Sequence, residues 1–122
     1  MSSFFIVLTE PLKDFQGTIS RVFDNPYRIN GNWEMAVTHL TFEESFPVFI
    51  FCDLVEYSYV NKERMRFLDY NPTTITRNNS PRYVKVIKTR FNSINVDIRR
   101  HPNIAEHSSN LEITLVLHFR KA

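Results

Sequence analysis

The sequence has few of the residues that disulfides, metal clusters and phosphate-binding turns require. It contains two glycines and one cysteine in 122 residues. Two glycines exclude a collagen-like repeat and a glycine-rich phosphate loop. One cysteine excludes an intramolecular disulfide and a cysteine-rich zinc site. No apolar run reaches the roughly 18 residues of a transmembrane helix, so we expect no membrane partner.

The overall composition is that of an ordinary globular protein. Hydrophobic residues make up 43% and charged residues 23% of the chain, which argues against intrinsic disorder. A chain of this length matches one domain and can bury a core without disulfides. We therefore predict a single domain over residues 1–122. Cys52 lies in the apolar run 48–55, so we expect a buried side chain and not a reactive thiol.

The dominant hydrophobic period is two, which is typical of β-strands. It is clearest near the end of the chain, where Leu115, Leu117 and Phe119 alternate with Val116, His118 and Arg120. The predicted strands are residues 4–8, 18–23, 33–42, 47–60, 65–68, 83–89, 94–98 and 111–120. Turn signals such as Asn25-Pro26 and Asn30-Gly31 separate them. The pattern predicts an all-β antiparallel sandwich, jelly-roll-like in topology, with about eight strands.

No constellation of catalytic residues can be recognised. The histidines at positions 39, 101, 107 and 118 fit no zinc spacing. The adjacent Glu43 and Glu44 follow a predicted strand and are expected to be solvated, and no serine lies in a nucleophile elbow. A hydrolase would need convergent titratable groups in a pocket, which nothing here indicates. We predict no enzymatic activity, no metal, no cofactor and no small-molecule substrate.

Aromatic residues are the most informative side chains, at 14% of the chain. Trp33, on a predicted central strand, is expected to anchor the core. Residues 46–59 hold more aromatic side chains than one strand face can accommodate. The residues predicted to serve an interface are Phe46, Phe49, Tyr57 and Tyr59. The alternative is that all of them fill one core.

Charge is unevenly distributed along the chain. Residues 1–61 carry three basic and eight acidic residues, a net charge of −5, whereas residues 62–122 carry twelve basic and five acidic residues, a net charge of +7. The residues predicted as anion or nucleic-acid contacts are Arg82, Lys85, Lys88, Arg99 and Arg100. Basic residues interleaved with aromatics can follow single-stranded nucleic acid. They can equally be solvated charges that protect a sheet edge.

Two segments carry a resemblance to a known family. Residues 30–42 read Asn-Gly-Asn-Trp-Glu-Met-Ala-Val-Thr-His-Leu-Thr-Phe, and residues 92–120 contain Ile-x-Val-x-Ile and close on Leu-Val-Leu-His-Phe-Arg. Both resemble segments of β-rich, capsid-associated structural proteins of invertebrate DNA viruses and Polinton (Maverick)-type elements. The middle of this chain is shorter than in many such proteins.

The resemblance implies a viral structural protein: a minor capsid, spike or capsid-decorating component. Such a protein would form a homo-oligomer and dock to other virion proteins. Its expected location is the virion and, during assembly, the host cytoplasm or nucleus. The second hypothesis is a small nucleic-acid-binding module that uses the basic C-terminal half.

Overall fold

A computed structural model describes residues 3–13, 16–41, 48–71, 81–99 and 110–122. The strands in chain order are β1 (Ser3–Lys13), β2 (Gln16–Arg28), β3 (Trp33–Thr41), β4 (Val48–Cys52), β5 (Ser58–Val60), β6 (Glu63–Met65), β7 (Phe67–Asn71), β8 (Val84–Lys85), β9 (Arg90–Arg99) and β10 (Asn110–Lys121). No helix in this part of the chain is long and apolar enough to cross a membrane.

Eight of the ten strands form two four-stranded antiparallel sheets. Sheet I has the order β1-β10-β3-β8, sheet II has the order β2-β9-β4-β7, and β5 pairs with β6 in a separate hairpin. The predicted all-β antiparallel sandwich is confirmed, but with ten strands where the sequence indicated about eight. The jelly-roll assignment stays a prediction at this level of description.

One hydrophobic core lies between the two sheets. Along β10 the inward residues Ile113, Leu115, Leu117 and Phe119 are at most 2% exposed, so the period-two pattern has the predicted face inward. Residues of sheet II that join the same cluster include Ile19, Ile50, Leu68, Ile94, Val96 and Ile98. Trp33 on β3 belongs to this cluster at 4% exposure.

Aromatic rings from both sheets stack at one end of the core. Phe4 on β1 lies 4.7 Å from Phe119 on β10 and 5.0 Å from Tyr27 on β2, measured between ring centroids. Phe91 on β9 completes the group, 5.3 Å from Tyr27 and 5.9 Å from Phe119. Stacked pairs of this kind add to the free energy of burial. This end of the sandwich is therefore held together by rings as well as by aliphatic packing.

The predicted strand 47–60 is wrong as a single element. The chain leaves sheet II at Cys52 and crosses to the edge of sheet I, where Val55 forms an isolated bridge with Val86 and Ile87 N–H donates to the Leu54 carbonyl at 2.9 Å. Leu54 and Val55 are fully buried at this crossing. The sequence is apolar through the crossing as well as through β4, because both are buried. The hydrophobic period therefore cannot distinguish the crossing from a continued strand.

A two-residue turn creates the β5–β6 hairpin after that crossing. Asn61 and Lys62 have φ angles of 50° and 70°. Positive φ at both central residues is the signature of a type I′ turn, whose twist matches that of the flanking strands. Asn adopts this left-handed region more readily than most residues.

The Asn25-Pro26 signal lies inside a strand and does not end one. The pairing of β2 with β9 moves from Val22↔Ser93 directly to Tyr27↔Phe91, so residues 23–26 bulge out before pairing resumes. Proline has no N–H to give to a ladder and is tolerated within sheets at bulges and edges. The predicted strand 18–23 consequently continues to Arg28.

Candidate interaction surfaces

The outer face of sheet II carries an aromatic cluster. Phe49 on β4 lies 4.7 Å from Tyr70 on β7, and Phe51 lies 5.8 Å from Phe67, again between ring centroids. These side chains point outward because Ile50, between Phe49 and Phe51 on β4, is fully buried. Phe49, one of the predicted interface residues, is half-buried within this cluster.

Arginine side chains cover the rings of sheet II. The Arg99 Cζ lies 5.0 Å from the Phe51 ring centroid, and the Arg82 Cζ lies 4.9 Å from that of Phe67. Both guanidinium groups have further partners within the protein: Arg99 Nη2 is 2.6 Å from Asp97 Oδ2, and Arg82 Nη1 donates to the Leu68 carbonyl at 2.9 Å. Phe51 is left only 6% exposed. The rings of Phe51 and Phe67 are thus covered by charged side chains, whereas Tyr70 in the same cluster is 41% exposed.

The β5–β6 hairpin presents two exposed tyrosines. Tyr57 is 46% and Tyr59 76% exposed, as expected of the predicted interface residues. The guanidinium carbons of Arg64 and Arg66 lie 4.4 and 4.1 Å from the Tyr57 ring centroid. Arg66 is held in place because its Nη1 donates to the Val55 carbonyl at 2.8 Å. The predicted strands 47–60 and 65–68 leave residues 61–64 between them, and the turn at Asn61 and Lys62 lies in this interval.

The outer face of sheet I is apolar near β1. Phe5 is 58% and Val7 61% exposed, and neither was predicted as a site residue. The Phe5 ring stacks on the His118 imidazole of β10 at 4.5 Å, and the Tyr83 hydroxyl lies 2.7 Å from His118 Nδ1. Burial lowers the pKa of His118 below its ordinary value of 6.5, and the nearby Arg120 lowers it further. The imidazole is therefore neutral at pH 7 and adds no charge beside the Phe5 ring.

β1 is also a long edge strand. It pairs with β10 over all eleven of its residues and has no described strand on its other side. Residues 3–9 contain no charge and no proline. β2, the corresponding edge of sheet II, has a bulge and Pro26, which are two of the devices that protect edges from pairing. At Thr9 the backbone carbonyl of β1 already accepts a hydrogen bond from Arg21 Nη2 of β2 at 2.9 Å. From Ser3 to Leu8 the edge is uncharged and unbulged, and such an edge with exposed apolar side chains is a template for another strand.

The predicted basic contacts do not lie together on one strand face. Arg82 and Arg99 cover rings of sheet II, Lys85 is opposite Glu34 at the edge of sheet I, and Lys88 Nζ lies 3.9 Å from Asp53 Oδ2. Because these charges have separate neighbours, they do not form the continuous stripe that a bound strand would follow. Nucleic-acid binding stays a prediction. Arg100 and Phe46 lie outside the described residues.

The described residues offer little to reaction chemistry. Burial raises the pKa of the Cys52 thiol to about 12, so it is protonated and unreactive at neutral pH. Burial also raises the pKa of Asp69, whose Oδ1 accepts the Tyr70 N–H at 2.8 Å. Across the described ranges, no three His, Cys, Asp or Glu side chains are grouped to hold a metal ion.

Trp33 is placed by a specific hydrogen bond as well as by burial. Its Nε1–H donates to the Asn30 carbonyl at 2.9 Å, which ties the start of β3 to the preceding turn. In that turn Gly31 has a φ of 90°, a conformation that side-chain-bearing residues rarely adopt. The predicted Asn30-Gly31 turn signal and the predicted anchor are thus parts of one local structure.

No protein-family model matches this chain, and no curated protein or solved structure matches it either.

Proposed function

We propose that this protein is a structural component of a virion, built on a jelly roll, which assembles with copies of itself through the edge strand β1. The viral setting rests on the resemblance of residues 30–42 and 92–120 to capsid-associated proteins. Its role would be that of a minor capsid, spike or decorating component. The observation that carries the self-assembly is the exposed, uncharged edge formed by residues 3–8.

The nesting of strand pairs supports the jelly-roll assignment. β1 pairs with β10, β2 with β9, β3 with β8 and β4 with β7, all antiparallel. Successive pairs in this series alternate between sheet I and sheet II. A long antiparallel hairpin rolled into two sheets has this order, and hairpin β5–β6 is an insertion near its tip. Jelly rolls are frequent in viral capsid proteins and lectins, although a fold by itself does not assign a function.

A second copy of the chain is a suitable occupant of the β1 edge. Two β1 strands related by a two-fold axis near Ile6 would pair antiparallel, with Phe5 of each copy opposite Val7 of the other. Aromatic and β-branched residues in this relation stabilise a strand pair by about 0.2–1 kcal/mol each. Because residues 3–9 carry no charge, the two copies would not repel each other there. Such pairing would join two sheets I into one continuous sheet.

Light scattering on a sizing column, over a wide range of protein concentrations, tests the proposal. We expect a discrete multiple of 14.5 kDa. Val7→Lys should reduce the mass to that of the monomer, because it sets a charge opposite the apolar Phe5 of the other copy and diagonal to the second lysine. Val22→Lys is the matched control: Val22 is 79% exposed on β2, the edge strand of the other sheet, and its variant should keep the parent's mass.

Either of two results would contradict the proposal. A parent protein of 14.5 kDa at every concentration would exclude self-assembly. A multimeric parent whose mass is unchanged by Val7→Lys would exclude β1 as the interface. Circular dichroism of each variant checks that the fold is retained.

A further inference from the structure

A pocket of ≈ 370 Å³ opens beside the aromatic end of the core, next to the bulge in β2. Its lining includes Phe4, Tyr27, Arg28, Asn30, Trp33 and Lys121. None of the lining residues is acidic, and two of them are permanently cationic at neutral pH. A second hollow, lined by Arg90, Phe91 and Asn92, shares Pro26 with the first.

Among the described residues, the cations at this pocket have no counter-ion. Arg28 and Arg90 are direct partners in the β2–β9 register, so two like charges lie opposite each other on neighbouring strands. Within the described residues, neither Arg28 nor Arg90 forms an ion pair with a carboxylate, and Lys121 forms none either. Like charges in this relation destabilise a sheet unless something neutralises them. A bound anion would do so.

The aromatic lining favours an anion that carries an apolar body. Tyr27 stacks on Phe4 at an interplanar angle of 14° and on Phe91 at 15°, and it meets the Phe23 ring at 82°. These contacts hold the half-buried Tyr27 in the aromatic cluster while it lines the pocket. The Trp33 N–H is already bonded to the Asn30 carbonyl. The pocket lining therefore combines two cations with aromatic rings.

We propose that this pocket binds a phosphate monoester, with the phosphate between Arg28 and Lys121 and the apolar body against Phe4 and Trp33. A phosphate monoester carries a charge between about −1.5 and −2 at pH 7. That charge matches a site with two lining cations and a third at Arg90 better than the single charge of a carboxylate does. The guanidinium of Arg28 can also donate two parallel hydrogen bonds to phosphate oxygens.

Fluorescence of Trp33 gives a direct readout, because Trp33 is the chain's one tryptophan and lines the pocket. The protein is titrated with phenyl phosphate, inorganic phosphate and benzoate at constant ionic strength. We expect a saturable change with phenyl phosphate, and affinities weaker by about tenfold or more for the other two, since each lacks one part of the recognised group.

Two substitutions locate the binding. Arg28→Gln and Lys121→Gln should each weaken phenyl phosphate by about tenfold or more. Lys85→Gln removes an exposed lysine from β8, outside the pocket lining, and should bind as the parent does. Arg28→Gln removes one of two opposed like charges, so it should fold, which thermal unfolding verifies.

The proposal is overturned if phenyl phosphate gives no saturable change, or if Arg28→Gln and Lys85→Gln bind it equally. Equal affinities for phenyl phosphate and benzoate would overturn the assignment to phosphate. Equal affinities for phenyl phosphate and inorganic phosphate would overturn the role of the apolar body. None of these outcomes depends on whether the protein self-assembles.

Discussion

The outer faces of the two sheets contrast in how they treat their aromatic residues. On sheet II, guanidinium groups lie over the rings of Phe51 and Phe67, and Phe51 is only 6% exposed. On sheet I, Phe5 and Val7 lie bare on an edge strand at 58% and 61% exposure. Phe51 and Phe67 thus stabilise their own sheet, whereas Phe5 and Val7 are available to a partner. Aromatic content alone does not distinguish these cases; the charged neighbours do.

The largest expected effect removes the core that both faces share. Trp33→Ala should lower the free energy of unfolding by about 3–5 kcal/mol, as large-to-small changes of buried tryptophan do. Denaturant unfolding monitored by circular dichroism measures it. Because sheet I and sheet II pack on this one core, a variant as stable as the parent would mean that Trp33 does not anchor the structure.

A smaller effect, on self-association, should arise from the titration of His118 on sheet I. The pKa of His118 is below its ordinary value of 6.5 because of burial and Arg120, so the imidazole becomes charged only at acid pH. Because the pKa of His118 is lower in the folded than in the unfolded protein, its contribution to the free energy of unfolding is fully present above the unfolded-state pKa. That contribution is lost as pH falls from there through the folded-state pKa. The charged imidazole would lie against the Phe5 ring and next to the Tyr83 hydroxyl. It would also lie near the positive charge of Arg120, whose partner is Glu34.

We therefore expect self-association through β1 to weaken at acid pH, as pH falls through the lowered pKa of His118, with light scattering as the measurement. His118→Gln provides the control, since its association should no longer respond to pH in this range. A parent and a His118→Gln variant with the same acid profile would assign the response to other groups.

The smallest effect concerns the covering of sheet II. Arg99→Ala removes the guanidinium over Phe51 and its contact with Asp97, and should cost about 1 kcal/mol of stability. Arg90→Ala on the same strand removes an exposed arginine with no ring contact among the described residues; because it also relieves the repulsion with Arg28, it should leave stability unchanged or raise it by less than about 0.5 kcal/mol. Equal losses in the two variants would contradict the view that sheet II uses its arginines internally.

The parts of the fold that could be predicted are those with one buried face. The strand predicted over 111–120 is Asn110–Lys121 in the structure, because alternating side chains reveal which face is inward. The stretch 47–60 could not be resolved, since the buried crossing at Leu54 and Val55 is as apolar as a strand. Asn25-Pro26 marks a departure from regular pairing, but the sequence does not distinguish a bulge from a turn.

The candidate surfaces were predictable in part for a similar reason. Tyr57 and Tyr59 are exposed, as an interface role requires. Phe5 and Val7 were missed because residues 4–8 are all apolar, so only the pairing with β10 decides which of them point outward. The pairing of Arg99 with Asp97 had a signal in the sequence, since residues two apart on a strand share a face.

The most direct test of the account is amide hydrogen exchange of β1 at low and high protein concentration. The account predicts that exchange of the β1 backbone slows as concentration rises, because a second copy would bond its free edge, while exchange of β2 stays the same. Val7→Lys should abolish that dependence. A β1 that exchanges equally fast at all concentrations, in a protein that light scattering finds multimeric, would contradict the claim that β1 is where the copies meet.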